Sequence, residues 1–179
     1  FNEFRQLEAL DALRQLLKLD LPLPATRGWA ASPDFLLHLY RHIVTHRPKV
    51  VVELGSGVST LVAAAALAAN GDGSRLHSLD HDEAYARATV ELLARHGFSD
   101  MATVHYAPLE PWKPSQPTKL GEEWQWYTVP DEVSALEGID LLVVDGPPGS
   151  SCPYARYPAV PYFRAQMSSD CLVLLDDAR

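Results

Sequence analysis

Apolar positions follow two regimes along the chain. Over residues 2–19, Phe4, Leu7, Leu10, Leu13 and Leu17 recur at three- and four-residue steps among charged neighbours, the period of an amphipathic helix that Pro22 and Pro24 stop. A second stripe, Phe35, Leu36, Leu39, Ile43 and Val44, follows Ser32-Pro33-Asp34, a cap with proline in the first turn, and runs to Pro48. From Val50 onward the pattern changes to short segments rich in apolar and β-branched residues that predict strands at 50–54, 75–79, 102–106, 139–145 and 171–175. Helical stretches alternate with them: an alanine-rich one from Ser59, one from Asp82 to the glycine stop at Gly97, and one over 154–167. Strands alternating with helices imply an α/β architecture, with residues 1–47 as accessory helices and 48–179 as the main domain.

Between the third and fourth strands, residues 110–136 hold Trp112, Trp124, Trp126 and Tyr127 without helical period, which predicts a loop containing a hairpin near 122–129. These aromatics either wall a pocket or cover the sheet edge. His38, His42 and His46 recur every four residues, but no H-E-x-x-H pattern accompanies them, so solvated histidines are the better reading than zinc ligands.

The densest chemistry lies where the first strand ends, in Glu53-Leu54-Gly55-Ser56-Gly57 before Val58, Ser59 and Thr60. Glycines there let the backbone turn sharply and let a ligand approach, and the helix start offers free N–H groups to an anionic group. A third glycine, expected by the dinucleotide fingerprint, is replaced by Thr60, which weakens a nicotinamide reading. Asp80 follows the second strand 23 positions after Gly57, close to the spacing of about 20 at which an acidic side chain accepts from ribose hydroxyls. Asp82 is the matching helix cap. Asp145-Gly146-Pro147-Pro148 makes a rigid turn at the carboxyl end of the fourth strand, and Asp176-Asp177 ends the fifth.

Composition narrows the partners. Twenty-three acidic against 15 basic residues give a net charge of −8, which opposes broad contact with a phosphate backbone and makes nucleic acid an unexpected partner. No apolar run is long enough for a bilayer span, and no signal-peptide pattern is visible, so a cytoplasmic location is expected. Cys152 and Cys171 suggest neither a disulfide framework nor a metal cluster.

Taken in succession, VVELGSGVST, SLDHD, APL, WY, DLLVVDGPPG with RYPAVPYF, and LVLLDDA resemble a bacterial subgroup of class I S-adenosylmethionine-dependent methyltransferases, from about residue 48 to 179. The resemblance implies a doubly wound, mostly parallel Rossmann-like sheet with S-adenosylmethionine across the ends of its first, second and fourth strands. It places Glu53, Gly55, Ser56, Gly57, Ser59 and Thr60 around the methionine portion, Asp80 and His81 at the ribose, Ala107 and Pro108 at the adenine edge, and Asp145 beside them. That family's sheet continues past a fifth strand. Here either carboxyl-terminal strands are missing from the chain, or a second copy covers the edge in a homodimer.

Catechol-type relatives keep a lysine after the matching aspartate, and this chain has Gly146 instead. Asp145 and Asp176 are then the candidate catalytic groups, one acting as base. Asp145, Asp176 and Asp177 together resemble the oxygen-ligand set of metal-dependent O-methyltransferases and suit Mg²⁺. The expected reaction is methyl transfer to a small-molecule acceptor, at oxygen. A non-catalytic cofactor-binding fragment and an NAD-dependent oxidoreductase are the alternatives.

Overall fold

The computed structural model describes residues 2–26, 28–115 and 118–176. In chain order the elements are α1 (Asn2–Leu17), α2 (Pro33–His46), β1 (Val50–Leu54), α3 (Val58–Asn70), β2 (Arg75–Asp80), α4 (Glu83–Arg95), β3 (Ala102–Tyr106), β4 (Leu109–Trp112), β5 (Trp124–Tyr127), α5 (Asp131–Ser134), β6 (Ile139–Val144), α6 (Ala159–Phe163) and β7 (Met167–Leu175).

Five strands form one sheet in the order β3-β2-β1-β6-β7, every neighbouring pair parallel. The chain leaves β1 toward β2 and β3 on one side, then crosses to β6 and β7 on the other. The order therefore reverses between β1 and β6, and open α/β sheets bind ligands at the carboxyl ends of strands flanking such a reversal. This is the expected Rossmann-like, doubly wound sheet with amino-terminal helices.

Side chains alternate across the strands, so each face has its own apolar layer. Val51, Leu76, Leu141 and Val143 meet Leu13 and Leu17 of α1, Leu36, Leu39 and Ile43 of α2, the alanines of α3, and Leu93 of α4. Val52, Leu54, Leu79, Leu142 and Val144 instead meet Trp126, Tyr127, Val133, Ala159 and Phe163. The second layer is built from the β4–β5 hairpin and two short helices. α1 and α2 thus help cover the sheet instead of standing apart from it.

Three expectations need correction. The helix expected over 154–167 is only α6, because Pro161 lacks the N–H a continuing helix would use and fits only a first turn, while Tyr154 takes φ +53°. The hairpin expected within 122–129 pairs β5 with a strand 12 residues upstream, Trp112 facing Trp124 across a long loop. β7 begins at Met167, four residues earlier than its apolar run, and its edge leaves Leu172 to Leu174 half-buried. No helix among the described residues is long and apolar enough to cross a membrane.

Candidate active site

The turn after β1 is shaped by two contacts. Gly55 takes φ +91° and donates its N–H to Leu79 O at 2.8 Å, which binds the turn to the end of β2. A Cβ on Gly55 would lie 3.2 Å from the backbone of Asp145 and Gly146, so the close approach of β1 and β6 requires glycine there. Gly57 takes φ +144°, and a Cβ built on it meets no described atom within 4 Å. Backbone conformation, not crowding, selects glycine at this position, and the space beside it is open.

Beneath the turn lies Glu53, fully buried. Its Oε2 accepts from Thr60 Oγ1 at 2.6 Å and Ser78 Oγ at 2.7 Å, and the Thr60 hydroxyl also accepts from Gly57 N at 2.9 Å. Oε1 has no partner among the described residues. Burial pushes the carboxyl up to about 7 against the lowering effect of the Thr60, Ser78 and Ser59 hydroxyls, with the nearby Asp80 adding to the rise. Thr60 and Ser59, expected around the methionine portion, stand in the first turn of α3 behind the glycine turn. Both are buried, and Thr60 braces Glu53 and the turn from below, which explains a hydroxyl where dinucleotide sites have glycine.

Asp80 stands at the tip of β2, next to the glycine turn. Its Oδ2 accepts from Ser56 N at 3.0 Å and Ser56 Oγ at 2.5 Å, and its Oδ1 accepts from Asp82 N at 3.0 Å. The carboxylate thus holds Ser56 toward β2, with His81 Nδ1 at 3.7 Å on its outer side. Asp82 caps α4 as expected, accepting from Ala84 N and Tyr85 N. Ala107 is buried and donates its N–H to Asp80 O at 2.7 Å, with half-buried Pro108 following.

Across the crevice, β6 delivers Asp145, whose N–H donates to Leu54 O at 2.8 Å. Burial and the neighbouring Asp176 carboxyl push Asp145 well above the usual carboxylate range, while Arg156 pulls the other way. Arg156 had no role assigned by sequence. It donates to Asp145 O at 2.8 Å, Asp176 O at 2.5 Å and Pro147 O at 3.5 Å, with Nη2 3.5 Å from Asp145 Oδ1. Asp177 lies outside the described residues.

Tyr127 was the other omission. Its ring is buried in the second layer, and a Cβ on Gly146 would sit 2.2 Å from its hydroxyl. That hydroxyl, like Trp126 Nε1, finds no hydrogen-bond partner among the described residues. Burial raises its pKa well above the ordinary tyrosine value, and the charges of Asp80, Arg156, Asp145 and Glu53 all act on it. The WY pair was visible in the sequence, but nothing local indicated that its hydroxyl stands where β1, β2 and β6 end.

The switch-point crevice therefore combines an unpartnered carboxylate oxygen, an unpartnered hydroxyl, an open glycine turn and a proton-holding aspartate. No curated protein matches the sequence. Among solved structures the chain is similar to the SAH-bound methyltransferase of Podospora anserina (TM-score 0.58, 19% identity, 96% of this chain and 61% of that one). It is also similar to a Streptomyces achromogenes O-methyltransferase involved in tomaymycin synthesis, in complex with SAM (0.54, 16%, 95% and 63%). A Geobacter sulfurreducens methyltransferase gives 0.58, 15%, 96% and 73%. The likeness is one of fold, and the chain spans about three fifths of the first two structures. A family model described as a methyltransferase domain matches residues 52–178, from the middle of β1 through the aspartates after β7. Because that match takes in every strand of the sheet and the whole crevice, the chain belongs to the methyltransferase-domain family.

Proposed function

We propose that this crevice binds S-adenosylmethionine and that the chain transfers its methyl group to an oxygen of a small-molecule acceptor. The observation that carries the reading is the Glu53 oxygen left without a partner beneath an open glycine turn. A buried acceptor in want of a donor fits the ammonium of a methionine moiety, and the first N–H groups of α3 fit its carboxylate.

The bound sulfonium supplies an electrophilic methyl group whose bond to sulfur breaks as the bond to the acceptor oxygen forms. The protein's share is alignment and proton removal. Glu53, Gly57 and the start of α3 hold the amino-acid end. Asp80 accepts from ribose once the Ser56 hydroxyl yields its place. Ala107 and Pro108 border the adenine, and the Tyr127 hydroxyl donates to the ligand's polar atoms over Gly146. Asp145 takes the acceptor's hydroxyl proton in its ionised form, which burial makes the minor form at neutral pH but the stronger base once present.

A dication does not fit the two described carboxylates of the Mg²⁺ set. Arg156 already faces Asp145 with a guanidinium, Nη2 lying 3.5 Å from Oδ1, and supplies positive charge where an ion would sit. No step is therefore assigned to a metal.

The test is incubation with S-adenosylmethionine and panels of hydroxylated and amino acceptors, read by mass spectrometry. A methyl-mass increment on a hydroxylated acceptor, lost in Asp145→Asn, supports the reading. Cofactor binding without turnover on any acceptor would leave a binding module, and an increment confined to amines would overturn oxygen as the acceptor atom.

A further inference from the structure

A second cluster lies on the face of the sheet covered by α5. His77 of β2 and His105 of β3 project from the same face, two positions apart in register, since Leu79 is the residue opposite His105. His77 Nδ1 and His105 Nε2 are 3.2 Å apart, with ring planes within 11° of parallel. The other nitrogen of His105 is 3.0 Å from Glu132 Oε1 of α5. Donor atoms of the three residues lie within 4.8 Å of one another.

We propose that His77, His105 and Glu132 form a two-histidine, one-carboxylate site for Zn²⁺ or a similar borderline divalent cation, separate from the crevice and independent of the methyl-transfer reading. Two nitrogens each about 2.0–2.1 Å from a tetrahedral zinc lie about 3.3 Å apart; the two ring nitrogens are already at 3.2 Å in a hydrogen bond, and both rings turn toward the ion as that bond gives way. Imidazole nitrogens select zinc over magnesium, which prefers oxygen. The chemistry of the pair is otherwise wasteful. Burial depresses the pKa of both rings and keeps them neutral, the form that ligates. One of the two facing nitrogens carries the hydrogen of this bond, and an ion held by both nitrogens displaces that proton to the far nitrogen of the same ring.

Glu132 is 63% exposed at its side chain, whereas that of His105 is 8% exposed. The ion therefore enters from the Glu132 side, the flexible carboxylate closes on it, and solvent fills the fourth position. Binding would staple α5 to the β2–β3 edge and hold the segment that follows Tyr127. The α2 histidines do not form a comparable site: His42 and His46 stack face to face at 4.2 Å, so their lone pairs do not converge.

The test is titration of chelator-stripped protein with Zn²⁺ by calorimetry and with Co²⁺ by visible absorption, which reports tetrahedral geometry. One ion per chain is expected, with a Zn²⁺-dependent rise in Tm. His77→Gln and His105→Gln, which keep hydrogen-bonding capacity, should each weaken binding at least 100-fold, and Glu132→Gln about 10-fold or more. The His42→Ala/His46→Ala double variant should bind as wild type does. Absence of saturable binding, binding that survives both glutamine variants, or binding lost only in the α2 variant overturns the site. If a glutamine variant fails to fold, protection of His77 and His105 from diethylpyrocarbonate by Zn²⁺ in the wild type, read by peptide mapping, decides in its place; no protection overturns the site.

Discussion

Replacing Tyr127 by phenylalanine removes one oxygen and should move two observables in opposite directions. The hydroxyl is buried over Gly146 without a partner among the described residues, a condition that costs about 1–3 kcal/mol. Removing it should stabilise the ligand-free protein, and each kcal/mol gained should raise Tm by about 2–4 °C in a domain of this size. If the same hydroxyl donates to bound cofactor, its loss forfeits a hydrogen bond worth about 0.5–1.5 kcal/mol, an about 2- to 13-fold weaker Kd for S-adenosylhomocysteine. Scanning calorimetry without ligand and titration calorimetry with it measure the two terms on the same preparation. A lower Tm in Tyr127→Phe would show that the hydroxyl is satisfied in the free protein. A higher Tm with unchanged affinity would remove Tyr127 from the cofactor site while leaving its burial cost intact.

Other outcomes follow from neighbouring residues. Gly146→Ala places a methyl group 2.2 Å from the Tyr127 hydroxyl and 3.2 Å from Gly55, so chemical denaturation should show a loss of about 1–3 kcal/mol, partly recovered when Tyr127→Phe is added. Glu53, with its carboxyl pushed up to about 7 from an ordinary value of 4.5, holds its proton more tightly folded than unfolded. Its contribution to stability is therefore full below about pH 4.5 and is lost as pH rises toward 7 and past it; Glu53→Gln should flatten that part of the Tm-against-pH curve. Arg156→Met removes the charge that holds Asp145 down, so the acidic limb of the pH–rate profile should move to higher pH, and an unmoved limb would exclude Asp145 as the base. Chelator treatment followed by Mg²⁺ should leave methyl transfer unaltered, whereas activation by Mg²⁺ would restore the aspartate metal site.

What could be read from the sequence was local. β1 and β6 lie in the middle of a parallel sheet, buried on both faces, and so are nearly all apolar apart from Glu53 and Asp140. The glycine turn and the Asp82 cap carry their chemistry within a few residues. The bracing contact of Thr60 with Glu53 was not legible, because a helix start in sequence carries no sign of the buried carboxyl it turns under. The hairpin was expected but its first strand was missed, because a loop with no periodic signal separates the two, and the helix expected over 154–167 was drawn too long because Pro153, Pro158 and Pro161 cut an otherwise helical composition. Tyr127, Arg156 and the His77–His105 pair owe their roles to contacts made across 11 to 28 residues of chain or between separate elements. Spacing along the sequence holds no record of such convergence.

The central claim is that the crevice between β1 and β6 is a seat for a methionine-bearing nucleoside. Titration calorimetry of the wild type with S-adenosylhomocysteine, and of Gly57→Val under the same conditions, tests it most directly. The account expects one ligand per chain in the wild type, no heat from NAD, and no binding by a correctly folded Gly57→Val, whose side chain would fill the open space beside the turn. Equal binding by both proteins, or NAD bound in preference, would contradict it.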